Sequence, residues 1–328
     1  MKQKFLTLLL ILCLLLAGCE YGIVFETTPA SQPVESTEPA ATEATEATEP
    51  PQKPKPSYST GELDPDADTL TVHFIDVGQA DCALVECGNA YALIDAGYPE
   101  SGETVVAYLE TLGVQRLNLV VGTHPHGDHI GGLPTVMKSI PADNTWFSAI
   151  PYTNAYVNDF IYAANNYGGG LQQPQPGQTF QLGEAIITVL GPVHTGYEDV
   201  NDISLVLMVE FGEIRFLFTG DMEQIAETDL INSGADLQAD VLKVGHHGSY
   251  SSTSYLFLRS VAPTFAVISC GRANEYGHPH DEPMSRLKDA EVTIFRTDKM
   301  YNIVAVTDGT EISFTWDNTY AKPWTPEE

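Results

Sequence analysis

Cysteine is scarce in this chain, with five in 328 residues. Cys13 and Cys19 stand close to the N-terminus, which leaves Cys82, Cys87 and Cys270 for the remainder. An odd trio excludes a disulfide framework, and Cys82 and Cys270, in apolar segments, read as small core residues. Basic residues are scarce too: 15 Lys and Arg face 44 Asp and Glu, a net charge of −29. That balance is the opposite of the basic footprint of a nucleic-acid binder, and it favours solubility. Long apolar runs are also lacking. The longest, Phe5 to Leu16, falls short of the ~20 residues that cross a bilayer.

What the N-terminus does hold is an address. Lys2 and Lys4 precede that apolar run, so residues 1–18 read as a secretory signal. Leu16-Ala17-Gly18-Cys19 resembles the bacterial lipobox, in which the cysteine becomes the lipidated first residue. Residues 19–68 repeat Thr-Glu-Pro and Ala-Thr-Glu units, a composition too polar to offset chain ordering, and read as a tether. The expectation is an extracytoplasmic protein anchored to the membrane by its N-terminal lipid. The domain proper is then 69–328, with 33 acids against 11 bases.

Within it, Thr123-His124-Pro125-His126-Gly127-Asp128-His129 organises the rest. Four candidate ligands fall within six residues, directly after the apolar run Leu117 to Val121. Imidazoles and a carboxylate at this density suit zinc, with manganese or iron possible. A strand end is rigid below and open above, which fixes ligands while leaving room for water or substrate.

Alternating, β-rich segments predict strands at 69–77, 82–86, 91–94, 144–149, 178–182, 185–190, 204–211, 213–219, 240–244, 264–269, 292–296, 301–306 and 311–316. Helices are expected at 101–112, at 130–140 or from just after Gly131 and Gly132, and from Asp221 to about Asn232, where Asp221 reads as an N-cap in its simplest role. Residues 150–178 are poorly patterned and read as a surface excursion whose tyrosines pack it down. His73 reads as a satisfied core or edge histidine. Two β-rich halves with helices outside imply an α/β layered sandwich.

The motifs are recognisable as a set. Phe74-Ile75-Asp76-Val77-Gly78-Gln79-x-Asp81, Leu93-Ile94-Asp95-Ala96-Gly97, the His-x-His-x-Asp-His cluster, Thr219-Gly220-Asp221 and Lys243-Val244-Gly245-His246-His247-Gly248-Ser249 resemble the metallo-β-lactamase superfamily. With Asn274-x-Tyr276-Gly277-His278-Pro279 they look most like the C-terminal hydrolase domain of the ComEC competence family. The resemblance implies an αββα sandwich holding one or two divalent ions, Zn or Mn. It assigns His124 and His126 to a first metal, Asp128, His129 and one histidine of the 246–247 pair to a second, and Asp221 as the bridge. Of that pair His247 is favoured, since neighbouring loop positions let only one point straight in; His246 is left for substrate, with Ser249 and Arg272. Many superfamily members carry a further histidine before the bridging aspartate. Here only His194 lies in that interval, in an unmatched context, so Asn201 or Asp202 is the better candidate for a supporting role.

The reaction implied is hydrolysis by metal-activated water, with Asp128 as proton acceptor and His278 and Asn274 holding a phosphoryl oxygen or protonating a leaving group. The expected substrates are small anionic phosphodiesters or short nucleic-acid ends. A phosphorylcholine-esterase-like surface enzyme and a non-catalytic ligand-binding lipoprotein are the alternatives.

Overall fold

The computed structural model describes residues 58–59, 68–148, 152–318 and 320–326. The expected signal at 1–18, Cys19 and nearly all of the 19–68 tether lie outside the described residues. Within that tether, Tyr58–Ser59 (β1) is nonetheless a short strand, paired in parallel with Ile312 and Ser313.

The first half of the domain holds β2 (Leu70–Phe74), β3 (Ala83–Cys87), β4 (Ala90–Ile94), β5 (Leu119–Gly122), β6 (Thr145–Phe147) and β7 (Leu171–Gln172). Between them run α1 (Gly102–Thr111), α2 (Gly127–Ile130), α3 (Leu133–Ser139) and α4 (Ala155–Tyr167). The second half holds β8 (Thr179–Leu182), β9 (Ala185–Gly191), β10 (Val206–Phe211), β11 (Ile214–Phe218), β12 (Val241–Lys243), β13 (Phe265–Ile268) and β14 (Thr293–Arg296). Its helices are α5 (Gln224–Asn232), α6 (Tyr255–Val261), α7 (Asp281–Asp289) and α8 (Thr297–Met300). The chain then returns to the first sheet as β15 (Ile303–Thr307) and β16 (Ile312–Trp316).

Two mixed sheets result, ordered β1-β16-β15-β2-β3-β4-β5-β6-β7 and β14-β13-β12-β11-β10-β9-β8. The period-two alternation of each strand divides its side chains between two cores. Leu70, Val72, Phe74, Val85, Leu207, Val209 and Phe216 meet in the apolar layer between the sheets. Leu84, Leu93 and Val120 point the other way, onto Val105, Leu109, Val136 and Phe160 of α1, α3 and α4. Met208, Leu217 and Leu242 do the same beneath α5, α6 and α7. The layers are therefore αββα, as the resemblance implies. Each fully buried Leu or Phe contributes about 1.5–3 kcal/mol of transfer free energy to this arrangement.

Three local expectations are corrected. The 150–178 excursion contains the 13-residue helix α4, capped by Asn154, whose side chain accepts from Val157 N–H at 2.8 Å. Its buried face is Val157, Phe160, Ala163 and Ala164, a helical spacing diluted in the sequence by tyrosines and asparagines of weak helix propensity. The helix expected at 130–140 is α3, which starts after the glycines, and the short turn α2 precedes it on the other side of Gly131 and Gly132. A Cβ on either glycine would lie 2.3 Å from Gly127 O or 2.2 Å from Ala96 O, so both permit close backbone contact. Asp221 is not an N-cap, because α5 begins at Gln224 and Glu223 holds the cap position. Finally, α6 and α7 stand where the patterning assigns no element. Among the described residues, no helix is long and apolar enough to cross a membrane.

His73 is satisfied as expected, its Nδ1 2.9 Å from the Tyr108 hydroxyl and its Nε2 3.4 Å from Glu86. Cys82, Cys87 and Cys270 are all buried and free.

Candidate metal centre

The cluster at residues 124–129 sits where β5 ends, and a partner on the neighbouring strand holds it in shape. Asp95 follows β4 and is buried; its Oδ1 accepts from Thr123 N–H at 2.8 Å and its Oδ2 from the Thr123 hydroxyl at 2.7 Å. The same Oδ2 lies 2.8 Å from His129 Nδ1. With Nδ1 engaged by a carboxylate, His129 turns Nε2 inward, to 3.2 Å from Asp221 Oδ1.

Asp221 comes from the other sheet, in the turn after β11. Three further imidazole Nε2 atoms approach its Oδ2: His124 at 3.8 Å, His246 at 3.7 Å and His247 at 3.6 Å. Of the 246–247 pair only His247 joins a donor group, as the resemblance favours, while the less buried His246 ring approaches the same carboxylate from the rim. Both residues adopt left-handed backbone conformations, φ 48° and 53°, and this turns neighbouring rings toward one carboxylate. Such φ values in non-glycine residues cost on the order of 1–3 kcal/mol each and persist where the surroundings enforce them.

Each inward ring is braced from behind. His247 Nδ1 donates to Ser269 O at 3.1 Å and lies 3.2 Å from Asp81 Oδ1. Asp81 Oδ2 in turn takes the Lys243 ammonium at 2.7 Å, and Lys243 also donates to Val244 O at 2.8 Å. His246 Nδ1 is 3.0 Å from Glu223 Oε1, which also accepts from the Ser251 hydroxyl at 2.6 Å. Asp202 Oδ1 accepts from Glu223 N–H at 2.9 Å, so Asp202 supports the centre indirectly. Ser249 bonds Ser251 at 2.9 Å and belongs to this bracing network.

Among the described residues three compact donor groups emerge, each with ligand atoms within 4.8 Å of one another: His124, His126 and Asp221; Asp128, His129, Asp221 and His247; and Asp81, Asp95 and His129, whose two carboxylates are the braces just described. Asp221 belongs to the first two. The buried atoms His129 Nε2, His247 Nε2 and Asp221 Oδ1 have no hydrogen-bond partner among the described residues. Leaving such groups unsatisfied costs about 1–3 kcal/mol apiece. A tetrahedral ion with bonds near 2.0–2.2 Å sets its ligands ~3.4 Å apart, close to the 3.4 Å between His247 Nε2 and Asp128 Oδ2. The residues present therefore fit divalent metal.

Electrostatics agree with a cation-seeking site. Burial presses upward on the Asp221 carboxyl, but the His129 and His247 imidazoles outweigh it and hold the group well below the usual range. Asp81 is likewise held down to about 2: burial opposes, and Lys243 and His247 prevail. Burial would lower His247, yet Asp221 and Asp81 raise it to about 10. His124 is pushed well below its ordinary value, first by burial and then by His129, and so is neutral and available as a ligand.

The late loop lies beside this centre. The His278 ring is 6.2 Å from that of His247 and 5.7 Å from that of His246, and it stacks on Tyr276. Burial and then the two neighbouring imidazoles press it down to about 4, so it is neutral at pH 7. Asn274 is spent on the loop itself. Its Oδ1 accepts from His278 N–H at 2.9 Å, and its Nδ2 donates to Gly271 O at 2.8 Å and His278 O at 2.7 Å. The catalytic part expected of Asn274 gives way to a bracing one. Arg272 lies over the Tyr301 ring at 4.1 Å and 3.5 Å from Asp76, an arrangement that engages it away from the metal ligands. His194 is exposed, 3.8 Å from Asp229, and joins none of the donor groups.

Asp81, Asp95, Glu223, Lys243 and Gln79 were not singled out as site residues by sequence reasoning. Gln79, Asp81 and Asp95 entered only as members of the motifs at 74–81 and 93–97. The available signal was their shared position at strand ends facing one edge of the sandwich.

The geometry and the sequence meet in one assignment, since residues 75–272 match the metallo-beta-lactamase superfamily. The chain belongs to that superfamily. Among curated superfamily relatives it is 30% identical over 246 residues to ComE operon protein 3 of Bacillus subtilis, covering 70% of this chain and 32% of that protein. It is 34% identical over 227 residues to competence protein ComA of Neisseria gonorrhoeae, covering 68% of this chain and 30% of that protein. The competence-type resemblance of the motifs is thus found along most of the domain. The chain spans about a third of the length of these relatives. In solved structures, the metallo-beta-lactamase fold protein YhfI from Bacillus subtilis superposes with a TM-score of 0.52 at 14% identity, covering 73% of this chain and 100% of that one. That likeness shows the fold.

Proposed function

We propose that this protein is a metal-dependent phosphodiesterase acting on small anionic phosphodiesters or short single-stranded nucleic-acid ends. The observation that carries the reading is the pair of donor groups sharing Asp221, a dinuclear arrangement suited to clamping attacking and leaving oxygens together. His124, His126 and Asp221 would hold one ion, and Asp128, His129, Asp221 and His247 the other. When bound, zinc or manganese supplies Lewis-acid polarisation and acidifies water toward pKa ~7.

The remaining steps fall to the chain. Asp128 is partly open to solvent, and its carboxylate accepts the proton of the attacking water. Asp95, Asp81 and Glu223 keep His129, His247 and His246 oriented through the reaction. Tyr98 and Tyr276 lie close enough to influence one another, and Tyr156 covers Gly127. These rings give a base or other planar group a face to stack on.

Charge narrows the substrate. With 11 bases against 33 acids, the domain offers few cations for a long duplex, whose binding depends on neutralising many phosphates. The metals supply most of the positive charge for a short substrate. The competence-type motifs resemble those of a family implying a nucleic-acid substrate, and short single-stranded ends satisfy both constraints. The Leu16-Ala17-Gly18-Cys19 sequence supports placement outside the cell on a lipid anchor.

The test compares a chromogenic phosphodiester, single-stranded DNA and duplex DNA in manganese and in zinc, with Asp128→Ala as the contamination control. Turnover of the first two, lost in that variant, is expected. Efficient duplex degradation would overturn the substrate assignment, and no phosphodiester turnover would overturn the reaction class.

A further inference from the structure

Gln79 and His278 come from opposite sheets. Gln79 lies in the loop between β2 and β3, His278 in the loop between β13 and α7. The loops meet at backbone contact distance: a Cβ on Gly271 would stand 2.7 Å from Gln79 N. This closeness lets one short amide serve two partners. Gln79 Oε1 accepts from Gly271 N–H at 2.9 Å, while Gln79 Nε2 lies 3.1 Å from His278 Nδ1.

The orientation of that amide follows from its partners. A backbone N–H can only donate, so the end of the amide facing Gly271 is oxygen. The end facing His278 is then NH2, which also can only donate. His278 Nδ1 must therefore offer a lone pair, and the single proton of the neutral ring sits on Nε2. A proton on Nδ1 would set donor against donor at 3.1 Å. The backbone on both sides of the ring is fixed as well, since Asn274 bonds both His278 N–H and His278 O. No described residue takes a hydrogen bond from Nε2, and the ring flanks His246 and His247 at 5.7 Å and 6.2 Å.

We propose that Gln79 is a positioning residue that holds His278 as its Nε2–H tautomer, so that His278 serves the reaction as a neutral hydrogen-bond donor to a phosphoryl oxygen. This rests on the phosphodiesterase reading. A neutral donor strengthens as charge builds on the oxygens in the transition state, without adding a cation beside the metals. The alternative task, protonating the leaving group as an imidazolium, needs a second N–H on the side where Gln79 already donates.

The test uses the full chain loaded with zinc. Long-range proton–nitrogen spectra of the imidazoles, with His278 assigned from His278→Ala, read the tautomer directly. At pH 7 the wild type is expected to show Nδ1 bare and Nε2 protonated. Gln79→Glu keeps an oxygen for Gly271 N–H but presents an acceptor to the ring, and in it Nδ1 is expected to gain a proton while kcat falls about tenfold. A wild type protonated on Nδ1, or a Gln79→Glu ring unchanged from wild type, would overturn the proposal. If Gln79→Glu fails to fold, the wild-type spectrum alone decides. The expected spectra from a protein that turns over no phosphodiester would leave the tautomer assignment standing and overturn the reaction reading.

Discussion

The Lys243 ammonium sits 2.7 Å from Asp81 Oδ2, with both groups almost fully buried beneath the ligand histidines. Neither residue faces substrate. Together they form the floor on which His247 rests, and the floor joins the loop before β3 to the end of β12. Removing one charge from a buried pair strands the other and typically costs 3–5 kcal/mol. Lys243→Met should therefore lower thermal stability by that order and weaken zinc binding about 10- to 100-fold. Differential scanning calorimetry and a competing zinc indicator check the two effects. A variant as stable and as zinc-avid as wild type would show that the pair does not support the centre.

Metal content tests the centre itself. The purified protein is expected to carry one to two transition-metal ions per chain, matching the two donor groups that share Asp221. His126→Ala combined with Asp128→Ala removes one ligand from each group and should lose most of that metal. Elemental analysis after dialysis provides the readout, and a wild type that takes up neither zinc nor manganese would refute the assignment.

In the metal-free protein the pH dependence has two limbs. The Asp81 carboxyl is lowered from 3.8 to about 2, so its contribution, on the order of 2 kcal/mol, is complete above pH ~4 and lost as pH falls toward 2. His247 is raised from 6.5 to about 10, so its contribution is complete below pH ~6.5 and lost as pH rises through 10. With chelator present, the melting temperature should be highest between these limits. Because a ligand imidazole must be neutral, zinc binding near pH 7 should release protons, and zinc affinity should rise with pH. Titration calorimetry in buffers of different ionisation enthalpy counts the protons, and zero release would contradict a protonated metal-free His247.

Anchoring is tested at Cys19. If the lipobox reading is right, Cys19→Ala prevents lipid labelling and shifts the protein from the membrane fraction to soluble or uncleaved forms. Unchanged labelling would sink it.

The layers, the positions of most strands and the ligand cluster were legible because each rests on short-range patterns, whereas the return of β15 and β16 to the first sheet was not. Period-two alternation marks strands such as Leu70–Phe74, and the density of ligands at 124–129 exceeds what a polar turn requires. Helix α4 was hidden because its four buried positions are interleaved with tyrosines and asparagines, and its clearest signal is a single N-cap asparagine. The approach of both His246 and His247 to one carboxylate depends on two consecutive left-handed residues, a conformation that no side-chain pattern announces. The bracing groups were illegible for another reason. Asp81 matters through Lys243, Asp95 through His129 and Gln79 through His278, and only the folded chain makes these residues neighbours.

Asp221 belongs to one sheet, and the histidines it faces on the other arrive from a different part of the chain. A ribosome that has released only the first half has made a histidine cluster without its bridging carboxylate. Nor can either sheet act as a miniature enzyme if the chain is cut between them. The proposed hydrolysis therefore requires the closed sandwich and should appear abruptly, in step with the docking of its two sheets. Bound metal then works as a clasp across the seam, and its departure under a chelator is the natural first event in coming apart.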